Sequence, residues 1–189
     1  MDTEALLKLA EECVVSNESP GKLASMVRRP YIRYYEFLFN LARETKPELM
    51  VELGTNQGIS ALHFKAGHTS CQVITIDIKT SPKVKKNLKE NNIILIESDS
   101  VEAACKVPSN IDVLFIDANH TYKSVKNDFE AYLPKVKKGG IILFDDISFD
   151  RFYKSHPKSG MDRFWSELKG DKVDLGILHA GPGFGGLIK

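Results

Sequence analysis

The sequence predicts one α/β domain built on a mainly parallel, doubly wound sheet, and three features carry that prediction. From Pro47 onward, short apolar runs alternate with amphipathic stretches, the texture of strands buried on both faces and joined by crossover helices. Nearly every run delivers a carboxylate to its carboxyl end. The last two runs are separated by too few residues for a crossover helix, so they pair antiparallel. A length of 189 residues suits a single domain and buries a sizeable core without disulfide or metal staples.

The elements follow in chain order. Leu6, Leu9, Ala10 and Cys13 recur at helical spacing behind Asp2, an N-cap residue, and Pro20-Gly21 breaks this helix. A second helix carries Tyr31, Tyr34, Tyr35, Leu38 and Leu41, with Pro30 at its first turn, and ends before Pro47. Residues 1–46 are thus a helical N-terminal segment, and 47–189 the core of one domain spanning 1–189. The apolar runs at 49–53, 73–76, 93–96, 113–116 and 141–144 are of strand length. Helical patterns lie between them at 60–66 and 82–90, and in the stripe of Tyr122, Val125, Phe129 and Leu133. A helix at 161–168 carries Trp165, a core residue. Strands at 173–178 and 184–188, joined by HAGPG, form the closing hairpin.

Composition excludes several classes. With 42% hydrophobic and 27% charged residues, the chain is neither disordered, collagen-like nor a coiled coil. A net charge of +1 gives no electrostatic case for a nucleic-acid partner. Cys13, Cys71 and Cys105 are scattered without a C-x-x-C, which argues against a disulfide framework and a structural zinc site. The acidic, amphipathic N-terminus is no secretory signal and no stretch approaches a membrane span, so no membrane partner and a cytoplasmic location are expected. The lysine-rich runs at 83–89 and 135–138 read as solvated faces.

Ligands of open parallel sheets bind outside the carboxyl ends of the strands, so the residues following each run matter most. The first run contains Glu52 and opens into Gly54-Thr-Asn-Gln-Gly58, and the second ends in Asp77. The third is followed by Ser98-Asp99-Ser100, the fourth by Asp117 with His120 three residues on, and the fifth by Asp145-Asp146. A glycine-rich turn between strand and helix is either a tight turn or a nucleotide cradle. Asp77 lies 77 − 54 = 23 residues past Gly54, near the ~20 expected of a carboxylate that binds ribose hydroxyls. The dinucleotide fingerprint would want glycine at 56 and 59, where Asn56 and Ile59 stand, and no G-K-[ST] is present. A pyrophosphate would also meet like charge from Glu52, Asp77, Asp117, Asp145 and Asp146. A ligand with adenine and ribose but no phosphate fits better, and S-adenosylmethionine, with cationic sulfonium and amino groups, is one. An NAD-type oxidoreductase is the disfavoured alternative, and a non-catalytic S-adenosylmethionine-binding module a second.

The stretch VELGTNQGIS resembles the first motif of class I S-adenosylmethionine-dependent methyltransferases. FIDANHTYKSVKNDFEAYLPKVKKGGIILFDD resembles the branch that holds cephalosporin-biosynthesis and macrolide-sugar O-methyltransferases, through Asp117, His120, Tyr122, Asp128, Pro134, Gly139, Gly140, Asp145 and Asp146. The resemblance implies a Rossmann-like, seven-stranded sheet with a C-terminal antiparallel hairpin. It implies a cofactor set of Glu52, Gly54, Thr55, Gly58 and Ser60 toward the methionine part, Asp77 at the ribose, Asp99 and Ser100 by the adenine, and Asp117. In metal-dependent members the matching carboxylates Asp117, Asp145 and Asp146 hold a divalent ion, here Mg2+, and the residue matching His120 stands close enough to act as base, so His120 and Asp117 are the catalytic pair. The expected reaction is O-methylation of a small-molecule acceptor, a sugar or a phenol.

Plainer readings stand beside these. Asp77 and Asp99 can cap the segments that follow them, and Asp99 can do so while touching adenine. His120 can be an N-cap or a surface residue, although three neighbouring carboxylates make it a better proton acceptor. Tyr122 and Asp128 read as structural helix residues. The N-terminal helices either cover the cofactor or mediate a homo-oligomer.

Overall fold

A computed structural model describes residues 1–16, 32–154, 159–178 and 181–189; the break at Pro20-Gly21, the turn at Pro30 and Tyr31, and part of the HAGPG link lie outside the described residues. Asp2 caps α1 (Thr3–Ser16), its Oδ1 accepting from the Ala5 N–H at 2.8 Å. Leu6, Leu9, Ala10 and Cys13 are buried along one stripe of α1, and Tyr34, Phe37, Leu38 and Leu41 along α2 (Ile32–Thr45). These side chains share one core with α3 (Ile59–Gly67) and with Leu88 of α4 (Pro82–Glu90). The N-terminal helices are therefore a structural layer on one face of the sheet.

The described residues hold a seven-stranded sheet in the order β3-β2-β1-β4-β5-β7-β6. Its strands are β1 (Leu49–Leu53), β2 (Gln72–Asp77), β3 (Ile93–Glu97), β4 (Ile111–Ile116), β5 (Val136–Asp145), β6 (Asp171–Asp174) and β7 (Phe184–Ile188). The first five are parallel, and β7 runs antiparallel to both β5 and β6. All five residues of β1 are buried, Glu52 among its apolar ones, as expected at the centre of a covered sheet. A second core on the opposite face gathers side chains from α5 (Ser100–Ala103), α6 (Tyr122–Tyr132) and α8 (Met161–Glu167), with Phe149 of α7 (Phe149–Phe152) packed against it.

The closing hairpin differs from expectation at its first strand, read at 173–178. β6 occupies Asp171–Asp174, and Gly176–Leu178 is a 3₁₀ turn. The Asp174 side chain accepts from the Gly176 N–H at 2.8 Å and turns the chain there, while Leu175 and Leu178 bury their side chains from the turn. β7 needs its glycine pair to be covered on both faces. A Cβ on Gly185 would lie 2.6 Å from the Trp165 ring, and one on Gly186 2.5 Å from Leu6.

The chain leaves β1 in one direction through β2 to β3 and in the other through β4 to β5, so the crevice beyond β1 and β4 is the topological switch point. There the two strand ends touch. A Cβ on Gly54, whose φ is +99°, would sit 2.0 Å from the Asp117 carbonyl oxygen.

Candidate active site at the sheet's switch point

A cavity of about 470 Å³ opens at this crevice, within the range of small-molecule sites. Gly54 and Asn56 line it from the β1–α3 loop, and Asp77 and Ile78 from the end of β2. Ser98, Asp99, Ser100 and Val101 follow β3, residues 117–120 follow β4, and Ser124, Asn127 and Asp128 line it from α6. The carboxylates that follow β2, β3 and β4 thus meet at one opening, and Asp145 and Asp146 stand behind Asp117 and His120 at its β4–β5 end.

Asp77 organises the loop opposite it. Its Oδ2 accepts from the backbone N–H groups of Thr55 at 3.0 Å and Asn56 at 2.9 Å, and Oδ1 from Lys79 N at 3.3 Å. Asp99 caps α5, accepting from Val101 N at 2.9 Å and Glu102 N at 3.2 Å, and lines the cavity as well. Ser100 Oγ donates to Asp128 Oδ1 at 2.5 Å.

Other residues of the expected cofactor set lie beneath the loop. Glu52 is fully buried, and its carboxylate accepts from Ser60 Oγ and, at 2.5 Å, from Thr75 Oγ1. Thr55 Oγ1 shares a 2.7 Å hydrogen bond with Thr75 Oγ1. Burial carries Glu52 up to about 7 against those hydrogen bonds from Ser60 and Thr75, which pull it down. Gly58, at φ +72°, faces Leu88 of α4. Glu52, Thr55, Gly58 and Ser60 support the loop from below, whereas Gly54, Asp77, Asp99, Ser100 and Asp117 face the cavity.

The acidic cluster stands at the β4–β5 end. His120 Nδ1 lies 3.0 Å from Asp146 Oδ2, and its Nε2 lies 3.5 Å from Asp117 Oδ1. A proton shared between Nδ1 and Asp146 leaves the Nε2 lone pair directed to the Asp117 side. Burial first, then the charges of Glu52 and Asp146, hold Asp117 well above the usual carboxylate range, against a hydrogen bond with Asp145. Burial and the Asp117 charge raise Asp145 likewise, and burial with the Asp145 charge brings Asp146 up to about 7.

Ligand atoms of Asp117, His120 and Asp145 all lie within 4.8 Å of one another. His120 Nε2 and Asp145 Oδ1 are buried with no hydrogen-bond partner among the described residues. Two unpaired buried atoms among mutually repelling carboxylates fit a hard divalent cation. The trio read from the sequence is Asp117, Asp145 and Asp146; His120 converges with Asp117 and Asp145, and Asp146 Oδ2 lies 3.0 Å from the same imidazole.

Sequence reasoning missed the α6 contribution. Ser124, Asn127 and Asp128 stand at i, i+3 and i+4, a polar stripe beside the apolar one, and that spacing was the available signal. It also missed Ile78 and Val101, which line the cavity while 79% and 42% exposed.

The sheet order, its antiparallel end and a cavity at the switch point define a Rossmann-like methyltransferase fold. Residues 51–147, just over half of the chain, match the family model described as a methyltransferase domain, and the chain belongs to that family. A protein of Acanthamoeba polyphaga mimivirus is 33% identical over 138 residues, 65% of this chain and 62% of that protein; the chain spans only 18% of a Sinorhizobium fredii relative. An O-methyltransferase of Aspergillus hancockii is 25% identical over 187 residues, 91% of this chain and 69% of that enzyme. The crystal structure of the Streptomyces achromogenes O-methyltransferase TomG, involved in tomaymycin synthesis and solved with S-adenosylmethionine, superposes with a TM-score of 0.71 at 16% identity, covering 100% of this chain and 99% of that one. That likeness is one of fold.

Proposed function

We propose that this protein transfers the methyl group of S-adenosylmethionine to a hydroxyl of a small-molecule acceptor. The observation that carries the reading is that a loop pinned by Asp77 and the Asp117–His120 pair open onto the same cavity. Asp77 and Asp99 face the ribose and adenine, and Ile78 and Val101 offer apolar surface to the purine ring. The acidic wall suits a cationic sulfonium and repels a pyrophosphate. The match to an Aspergillus hancockii O-methyltransferase supports oxygen as the acceptor atom.

Methyl transfer is an in-line displacement. The acceptor oxygen forms a bond to the methyl carbon, the carbon–sulfur bond breaks, and its electron pair stays on sulfur to give S-adenosylhomocysteine. The thioether leaves without acid help, so the difficulty lies in making and aiming the nucleophile. His120 Nε2 takes the hydroxyl proton, and Asp146 on Nδ1 stabilises the imidazolium that results. Asp117, His120 and Asp145 would hold a divalent cation such as Mg2+, which lowers a hydroxyl's pKa and fixes its position when bound.

The free thiols of Cys13 and Cys71 are buried and suit a reducing, cytosolic compartment. The test is methyl transfer from labelled S-adenosylmethionine to a panel of phenols, sugars, amines and carbon nucleophiles, with chelator and with added magnesium. Transfer to a hydroxyl that stops with chelator and returns with magnesium supports the whole reading. Transfer at full rate under chelation removes the metal from it, and transfer to nitrogen or carbon acceptors only overturns the O-methylation itself.

A further inference from the structure

We infer that Asp128 reads the 6-amino group of the cofactor's adenine, so that the site selects adenine over its 6-oxo counterpart. The inference rests on the proposed S-adenosylmethionine reading. Asp128 lies on α6, lines the cavity, and is only 2% exposed. Among the described residues its carboxylate takes one hydrogen bond, from Ser100 Oγ to Oδ1 at 2.5 Å, which leaves Oδ2 unspent. A free carboxylate oxygen on a residue this buried, beside a cavity, is a ready acceptor for a ligand's donor.

The position of that oxygen is braced. Ser100 holds Oδ1 from one side, and Tyr132 Oη, one turn further along α6, donates to the Ser100 carbonyl at 2.7 Å. α5 and α6 are thereby tied together across the end of the cavity where Ser98, Asp99 and Val101 also line it. Asp99 is exposed and spends Oδ1 on the two N–H groups that open α5, so Asp128 is the buried wall carboxylate at this end. Burial favours a protonated Asp128 while Ser100 opposes that, and occupation by an amino donor would favour the ionised form further.

An acceptor fixed in place discriminates sharply between an amino group and a carbonyl. Adenine presents N–H at C6, and hypoxanthine presents an oxygen that can only face Oδ2 as a second acceptor. A site built to bind an N–H rejects the analogue that lacks it, because its own buried group is left unpaired. Asparagine at 128 should reverse this logic. Ser100 Oγ would still donate to the remaining amide oxygen, which turns Nδ2, a donor, toward the ligand.

The test compares S-adenosylhomocysteine with S-inosylhomocysteine by calorimetry at mildly alkaline pH. Wild type should favour the adenosyl ligand by about 10- to 100-fold. Asp128→Asn should bring that ratio to about one or invert it, at a melting temperature that shows the variant folded. A merely structural Asp128 would weaken both ligands together and leave the ratio unchanged, which overturns the inference. Equal binding of the two ligands to wild type overturns it without any variant, should Asp128→Asn not fold. Binding of neither ligand to wild type removes the cofactor reading and this inference with it; adenosyl binding without discrimination removes this inference alone.

Discussion

Replacing Gly54 with alanine should damage both stability and cofactor binding, by an amount the geometry sets. The added Cβ would stand 2.0 Å from the Asp117 carbonyl oxygen, 2.6 Å from its carbonyl carbon and 3.0 Å from Ala118 Cα. All three are backbone atoms of the strand end that delivers Asp117, so no side chain can swing aside. The φ of +99° adds strain worth roughly 1–3 kcal/mol for a residue with a Cβ. Forcing extra volume into a packed site costs about 1–3 kcal/mol more. Together these are roughly 2–6 kcal/mol against a total stability of about 5–15 kcal/mol. Relief requires the β1–α3 loop to move off β4, which pulls the Thr55 and Asn56 N–H groups from Asp77. Thermal unfolding and S-adenosylhomocysteine calorimetry on the purified variant measure both effects. A melting temperature lower by roughly 5–20 °C and affinity down more than about tenfold are expected. A variant melting within about 2 °C of wild type with unchanged affinity would refute the claim that this close approach builds the site.

His120→Ala should lower turnover by about 10²–10⁴-fold while leaving S-adenosylhomocysteine affinity within about twofold, and a wild-type rate would leave catalysis to proximity alone. Asp146 keeps its proton up to about 7 in the folded chain, and Asp117 and Asp145 are likewise raised, so the folded state binds more protons than the unfolded one above the ordinary carboxylate range. Stability without a cation should therefore fall as pH rises through the window up to about 7, where Asp146 ionises. Magnesium needs ionised ligands, so the rise in melting temperature it causes should grow across the same window; a shift that is equal at both ends, or absent, contradicts a site at Asp117, His120 and Asp145. Leu6→Ala should cost about 2–5 kcal/mol, because Leu6 is fully buried and packs on Gly186; a chemical denaturation curve matching wild type would show that α1 is not part of the core.

The central sheet was legible because β1, β2, β4 and the second half of β5 are covered on both faces and so carry apolar runs broken by few polar residues, a signal that survives without any partner in view. β6 was misplaced for the opposite reason. As an edge strand with the sequence Asp171-Lys-Val-Asp174 it carries no apolar run, while Leu175 and Leu178 look like strand residues and are buried from a turn. That the N-terminal helices form a layer of the core depends on Leu6 meeting Gly186 across nearly the whole length of the chain, and no local pattern encodes that. The carboxylates were legible from their places at strand ends, which one sheet edge must gather. Their division of labour was not. Whether Glu52 faces the ligand or the hydroxyls beneath the loop, and whether His120 or Asp146 converges with Asp117 and Asp145, turns on side-chain directions of a few ångströms.

Calorimetry with S-adenosylhomocysteine and with NADH on wild type and Asp77→Ala tests the central claim most directly. Asp77 is the carboxylate that both pins the loop and faces the cavity. The wild-type chain should bind S-adenosylhomocysteine and leave NADH unbound, and Asp77→Ala should lose charge-assisted hydrogen bonds worth roughly 1.5–3 kcal/mol each, an affinity loss of at least about tenfold. Tight binding of NADH with none of S-adenosylhomocysteine would contradict it.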